Sequence, residues 1–258
     1  MRGIKDKVAL ITGAGASASD TDKSGSGREA AKRLAAEGAT VVAADIDLSG
    51  AEETADLVRE AGGEAIPVEA DVTDPDDVMG LVDRTLNEYG KLDIALNCPA
   101  KVGPEMPLSE QPLEVYDEVI ETTLTSVFLS MKYELPAMVD SGGGAIVNFG
   151  SGAGLGGFPT RAPYSAAKHG VIGLTSSAAL EYADEEIRIN AICPFAIDSS
   201  SFAHASEEER EYMRERSPVN RLSDPEEVAN VAVFLCSEDA SFVSGHPFVV
   251  DAGAMALG

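Results

Sequence analysis

Val8-Ala9-Leu10-Ile11-Thr12-Gly13-Ala14-Gly15 opens the first structural unit of the chain, and Gly25-Ser26-Gly27 with Arg28-Glu29-Ala30-Ala31-Lys32-Arg33-Leu34 completes it. The short apolar run Val8–Ile11 reads as a buried strand, the glycines as a turn, and the stretch from Arg28 as a helix. Glycines let a backbone approach a pyrophosphate closely and set a helix N-terminus against its charge. Gly13, Gly25, Ser26 and Gly27 are therefore the first candidate ligand contacts.

The same alternation continues outward from this unit, as βα units of a parallel sheet do. Further strands are expected at Thr40–Asp45, Ala65–Asp71, Leu92–Asn97, Ala145–Phe149, Ile187–Cys193 and Phe248–Asp251. Helices are expected through Glu52–Val58, from Asp74-Pro75, over one long stretch from Leu113 to Val139, from Tyr164 to Tyr182, and from Asp224-Pro225. The Asp-Pro pairs suit helix starts, with the acid at the cap and proline at the first helical position. A polar, mobile segment is expected over 199–218. With no linker and no repeat, the 258 residues read as one α/β domain, a doubly wound parallel sheet (Rossmann fold) flanked by helices.

Ligands of such a sheet lie outside the carboxyl ends of its strands. Asp45, ending the second strand, is placed to accept hydrogen bonds from a ribose diol, and its charge would repel a 2′-phosphate. NAD is thus favoured over NADP. Asp71 and Val72 would hold an adenine edge, and Asn97 would close the turn under the nicotinamide ribose.

Tyr164-Ser165-Ala166-Ala167-Lys168 carries the chemistry. Residues four apart share a helix face, so the Tyr164 phenol and Lys168 ammonium would point into one cleft. A free phenol has a pKa near 10, and a nearby cation favours its ionised form. Ser151 would offer a hydroxyl to a substrate oxygen.

Bulk properties narrow the function classes. The 44 acidic and 19 basic residues give a formal net charge of -25, a field that disfavours nucleic acid and anionic membranes. Self-repulsion of this size is relieved in molar salt, where the Debye length falls to about 3 Å, so a halophilic host is expected. No apolar run approaches the roughly 20 residues of a membrane span, and the N-terminus has no apolar signal stretch. Three cysteines without a metal-ligand pattern suit a reduced cytoplasm. His169, His204 and His246 are scattered, so no metal site is expected.

Taken in order, Thr12-Gly13, Asp45, Asp71-Val72, Asn97, Ser151, Tyr164, Lys168, Pro194 and Asp251 closely resemble the short-chain dehydrogenases/reductases of about 250 residues. That resemblance covers the whole chain. It implies NAD(H)-dependent hydride transfer between nicotinamide and a secondary alcohol or ketone. Tyr164 would exchange the proton, Lys168 would lower its pKa and hold ribose hydroxyls, and Ser151 would orient the carbonyl. Pro194 and Ile197 would border the nicotinamide, and the segment 199–218, with Phe202, His204, Tyr212 and Met213, would cover the substrate. A homotetramer, or a homodimer, is similarly implied. The alternatives are a 3-oxoacyl-thioester reductase, which Asp45 opposes, and a nucleotide-binding homologue without turnover.

Several positions depart from the family pattern. The second glycine pair arrives about eight residues late, so 16–23 reads as an inserted loop; extending a loop costs only about 0.6 kcal/mol per doubling. Beside a pyrophosphate its two aspartates would have to point to solvent or be balanced by Lys23 and Arg28. Asn97-Cys98-Pro99-Ala100 replaces Asn-Asn-Ala-Gly, with Cys98 a small buried filler. Thr123 stands where an asparagine usually holds a proton-relaying water, and Phe195 where a glycine follows the proline. The latter would narrow the substrate pocket or change how the following segment packs. Gly150 replaces the usual serine before Ser151.

Overall fold

The computed structural model describes residues 1–15, 23–203 and 205–257. Seven parallel strands form one sheet in the order β3-β2-β1-β4-β5-β6-β7. They are β1 (Val8–Thr12), β2 (Thr40–Asp45), β3 (Glu64–Glu69), β4 (Ile94–Asn97), β5 (Gly144–Phe149), β6 (Ile187–Pro194) and β7 (Pro247–Val250). The strand order reverses between β1 and β4, which opens the crevice where such sheets bind ligands.

Side chains alternate across the sheet and build a core on each face. Ala9 and Ile11 of β1 point to one side, with α1 (Ser26–Ala36), α2 (Leu48–Glu60) and α8 (Pro225–Cys236). Leu10 points to the other, with α3 (Pro75–Tyr89), α5 (Ser126–Asp140) and α6 (Ala162–Glu181). Three of these helix starts have a side-chain cause. Asp47 and Asp74 accept from the backbone N–H groups of Ser49 and Asp76 at 3.1 and 2.8 Å, and Asp224 and Glu227 form a reciprocal capping box.

The structure corrects three expectations. β3 ends at Glu69, after which Ala70 N–H makes the last bond to β2, to the Asp45 carbonyl oxygen, and Asp71 lies beyond the ladder. The stretch from Leu113 is not one α-helix: α4 (Leu113–Ile120) and α5 are joined by a π-helical turn at Glu121–Thr125. The polar segment 199–218 is largely structured, with a 3₁₀ turn at Ser200–Phe202 and α7 (Glu207–Glu215), whose start is fixed by mutual Ser206–Glu209 capping. The inserted-loop reading falls outside the described residues except at Lys23, as does His204.

Candidate active site

Three strand ends set the floor of the crevice. Thr12, Asn97 and Asn148 stand side by side in register at the ends of β1, β4 and β5. The Asn97 amide nitrogen donates to Asn148 Oδ1 and Glu134 Oε2 at 3.0 and 3.1 Å, and Thr12 Oγ1 donates to Asn97 Oδ1 at 3.4 Å. Asn97 is buried, so it meets the crevice as its floor, with its amide turned into the core. Glu134 was not legible as part of this site. Its carboxyl is buried, and burial first of all pushes its pKa up to about 7, against the Asn97 hydrogen bond.

The glycine-rich turn fits a dinucleotide. Gly13 has φ +68°, and a side chain on Gly27 would collide with the Gly13 carbonyl oxygen, so α1 begins hard against the turn. Gly25 caps α1 without a side-chain hydrogen bond, leaving the first-turn N–H groups open toward an anion. Asp45 Oδ2 accepts from Gly15 N–H at 2.9 Å, and Oδ1 from Asp47 N–H at 3.1 Å. A Cβ on Gly15 would sit 2.9 Å from Asp45 Cγ, so this glycine permits a contact that the sequence reading did not assign. The carboxylate retains acceptor capacity for a diol. Asp71 lies beside Asp45 past the end of β3, its Oδ1 accepting from the Thr73 N–H and hydroxyl at 2.9 and 2.7 Å; Val72 is half-buried.

The aspartates that Lys23 and Arg28 were expected to balance lie outside the described residues, and both cations have carboxylate partners elsewhere. Arg28 Nη2 pairs with Glu53 at 2.7 Å, and its Nε donates to Thr54 at 3.0 Å, tying α1 to α2. Lys23 pairs with Asp198 in the segment after β6. Arg210 of α7 reaches the same Asp198 oxygen at 2.7 Å, so this segment is held to the turn and to α7 together.

Ser151, Tyr164 and Lys168 converge where β5 ends. Ser151 caps a 3₁₀ turn at Gly152–Gly154, its Oγ accepting from Ala153 N–H at 3.1 Å. That turn lies directly on α6: a Cβ on Gly154 would be 2.7 Å from the Lys168 carbonyl oxygen. Lys168 is 1% exposed, donates to the Phe149 carbonyl oxygen at 2.5 Å, and lies 5.6 Å from the Tyr164 ring centroid. Burial lowers its pKa to about 8. Tyr164 is half-buried, and desolvation raises its phenol, with the Ser151 hydroxyl and then the Arg161 charge acting in the opposite direction.

The departures resolve locally. Thr123 Oγ1 accepts from Lys101 N–H at 2.9 Å and donates to Lys101 O at 3.1 Å, so its hydroxyl clamps the loop after β4. The π turn carries it there. Phe195 lines a cavity of about 200 Å³ with Val219, Arg221, Leu222 and Val250, and none of Ser151, Tyr164 or Lys168 borders it. Its effect is on the packing of the segment after β6. Burial raises the Cys98 thiol, as suits a filler against Gly13.

Pro194 ends β6 in the core. Ile197 is half-buried and pairs as an isolated bridge with Ser223. Phe202 packs under Arg210, with 5.3 Å between guanidinium and ring. Tyr212 is exposed beside Arg216, and Met213 is half-buried.

A family model described as enoyl-(acyl carrier protein) reductase matches residues 21–255. Cyclohexanol dehydrogenase of Acinetobacter sp. (strain SE19) is 44% identical over 248 residues, covering 96% of this chain and 94% of that protein. Cis-4-hydroxycyclohexanecarboxylate dehydrogenase of Sinomonas cyclohexanicum is 41% identical over 252 residues, covering 98% of each. Among solved structures, a short-chain type dehydrogenase/reductase from Mycobacterium marinum matches with a TM-score of 0.90 at 30% identity, covering 97% of this chain and 96% of that one.

Proposed function

The chain belongs to the short-chain dehydrogenase/reductase family, and on that premise we propose that Ser151, Tyr164 and Lys168 drive NAD(H)-dependent interconversion of an alicyclic secondary alcohol and its ketone. It is an oxidoreductase acting on CH–OH groups. The observation that carries the finer reading is the convergence of these three side chains at the end of β5, beside the crevice.

The bound nicotinamide supplies the hydride acceptor or donor. The open N–H groups of α1 and the Gly13–Gly27 contact would receive its pyrophosphate, Asp45 its adenosine ribose, and Asp71 and Val72 the adenine edge. Asn97, Pro194 and Ile197 would frame the nicotinamide end. Ser151 Oγ accepts from Ala153, so its own proton is the one it donates, to the Tyr164 oxygen at rest and to the substrate oxygen once substrate is bound. The Tyr164 phenolate takes the alcohol proton in oxidation, and the phenol returns it in reduction. Lys168 spends one N–H on Phe149, which leaves two for ribose hydroxyls and keeps a cation beside the ring.

Asp45 supports NAD over NADP, because a 2′-phosphate would meet a carboxylate already fixed against Gly15. The same residue weighs against the acyl-thioester reading that the family description brings with it. The test is to titrate NADH and NADPH in molar KCl, following nicotinamide fluorescence; the chain has no tryptophan to interfere. Tight NADH and weak NADPH binding, followed by turnover of cyclohexanol, is expected. Folded protein that binds neither cofactor would reduce the reading to ancestry.

The rest of the proposal concerns the setting. The chain acts as one catalytic domain, with the segment 199–218 covering the substrate. It works in the cytoplasm of a halophile as a homotetramer or homodimer. No helix among the described residues is long and apolar enough to cross a membrane. Support for self-association comes from an apolar groove of about 440 Å³ on α5 and α6, bordered by Leu124, Phe128 and Leu174, with Phe128 49% exposed. Light scattering would read the mass directly.

A further inference from the structure

Arg161 stands at the N-terminal boundary of α6, one turn ahead of Tyr164 and on the same side of the helix. The residue before it, Thr160, is held at φ +65°, a left-handed conformation that a β-branched residue rarely adopts. Two bonds to the Thr160 carbonyl oxygen keep it there, from Met106 N–H at 3.1 Å and Gln111 Nε2 at 3.2 Å. Backbone strain maintained by such contacts marks a position whose placement matters.

The guanidinium is fixed but not saturated. Nε and Nη2 both donate to Glu105 Oε1, at 3.1 and 2.8 Å, and Nη1 donates to the Gly103 carbonyl oxygen at 3.0 Å. Two of its five N–H groups have no partner among the described residues. The Arg161 side chain is 18% exposed and that of Glu105 47%, so the cation is sheltered while its carboxylate partner lies toward solvent. Its charge is felt at the Tyr164 phenol, after desolvation and Ser151, and at Glu209 of α7, after the Ser206 contacts. Arg161 is therefore bonded to the loop after β4 at the start of the helix that carries Tyr164, and its charge reaches the segment proposed to cover the substrate. Lys168, the other cation there, is anchored to Phe149, and its remaining N–H groups are the ones proposed to hold the cofactor ribose.

We infer that Arg161 docks an anionic group of the substrate, so that the preferred alcohol carries a carboxylate remote from its hydroxyl. A carboxylate matches the two free N–H groups in the paired geometry that guanidinium favours, and it can also displace the exposed Glu105. The net charge of -25 puts carboxylates over much of the surface, which repel an anionic substrate at short range even in high salt, so a sheltered local cation is what such a substrate needs to bind. The inference rests on the alcohol dehydrogenase reading of the same site.

The test measures kcat/KM for cis-4-hydroxycyclohexanecarboxylate and for cyclohexanol with NAD at fixed salt, in the wild type and in Arg161→Gln, Arg161→Lys and Glu105→Gln. The quantity read is the carboxylate-to-cyclohexanol ratio, which is insensitive to a uniform loss from misfolding. The ratio is expected to exceed one in the wild type and to fall about tenfold or more in Arg161→Gln. It should fall less in Arg161→Lys and rise in Glu105→Gln, whose exposed side chain can be changed with little risk to folding. Cyclohexanol turnover with a ratio that none of the variants shifts would overturn this inference alone. Failure to turn over either alcohol with either nicotinamide cofactor would overturn the underlying reading along with it.

Discussion

The Lys168 ammonium lies 5.6 Å from the centroid of the Tyr164 ring and is anchored to the Phe149 carbonyl oxygen at 2.5 Å. The helix spacing aligns the two side chains, and the end of β5 supplies the anchor. Both are in unfavourable environments for charge: burial lowers the Lys168 pKa to about 8 and raises that of Tyr164. Holding both groups charged there costs folding stability.

Lys168→Met should therefore remove turnover and stabilise the cofactor-free protein at neutral pH. The Lys168 pKa is lower in the folded chain than in the unfolded one. The unfolded chain then binds the extra proton between about pH 8 and the ordinary lysine value, and wild-type stability rises with pH across that window. The cost of the buried cation is complete below about pH 8. A gain on the order of 1–3 kcal/mol is expected for the variant at pH 7, shrinking above pH 10. Urea melts at the two pH values check this; a variant destabilised at pH 7 would show that the Phe149 contact outweighs desolvation.

Glu134 predicts an opposite slope. Its folded pKa of about 7 exceeds that of an unfolded glutamate, so the native state holds the extra proton between roughly pH 4.3 and 7, and stability falls as pH rises through that range. Glu134→Gln keeps an acceptor for Asn97 without the ionisable group. Relative to wild type it should gain on the order of 3 kcal/mol at pH 8 and little at pH 5. A difference that does not change with pH would mean that the carboxyl stays ionised, or stays protonated, throughout.

These two residues also mark how far the sequence could be read. Val41, Val42 and Ile146 sit in unbroken apolar runs and announce their strands, Ile187 and Ile189 alternate with polar residues as a strand does, and Asp74-Pro75 announces a helix start. Tyr164 and Lys168 were legible because their spacing puts them on one helix face and because they follow Ser151 at the expected place in the run of strands and helices. Glu134 was not, because a single glutamate within a helix reads as surface until the tertiary fold buries it beside Asn97. The Thr123 hydroxyl finds its partner in Lys101, across a loop that no local pattern encodes. Helix α7 buries none of its residues, so it lacks the apolar stripe by which a helix is recognised, and only its Ser206–Glu209 cap gives it away. Arg161 differs from a surface arginine only through the fold of the Gly103–Gln111 loop.

The charge of -25 predicts stability that depends on salt. Repulsion among exposed carboxylates is screened as ionic strength rises, while the buried cores on the two sheet faces lose nothing. Tm should climb by at least about 10 °C between 0.1 and 2 M KCl, since screening of this kind is nearly complete when the Debye length falls to about 3 Å. A Tm that is flat over this range would remove the halophile reading while leaving the enzyme reading untouched.

Gly150 and Cys193 form the last testable pair. A Cβ on Gly150 would lie 2.8 Å from Cys193 Sγ, closer than real Cβ contacts come, and 3.1 Å from the Ile192 carbonyl oxygen, tighter than most of them. The missing side chain before Ser151 is therefore matched to a sulfur on the neighbouring strand. Gly150→Ser should destabilise by about 1–3 kcal/mol through overpacking, and because β5 leads directly into Ser151 it should also lower kcat. Cys193→Ala removes the nearest obstruction, so the double variant should recover part of both losses, with a coupling energy of at least about 0.5 kcal/mol. Strict additivity in the double-mutant cycle would show that the Ile192 carbonyl, and not the sulfur, is what keeps position 150 a glycine.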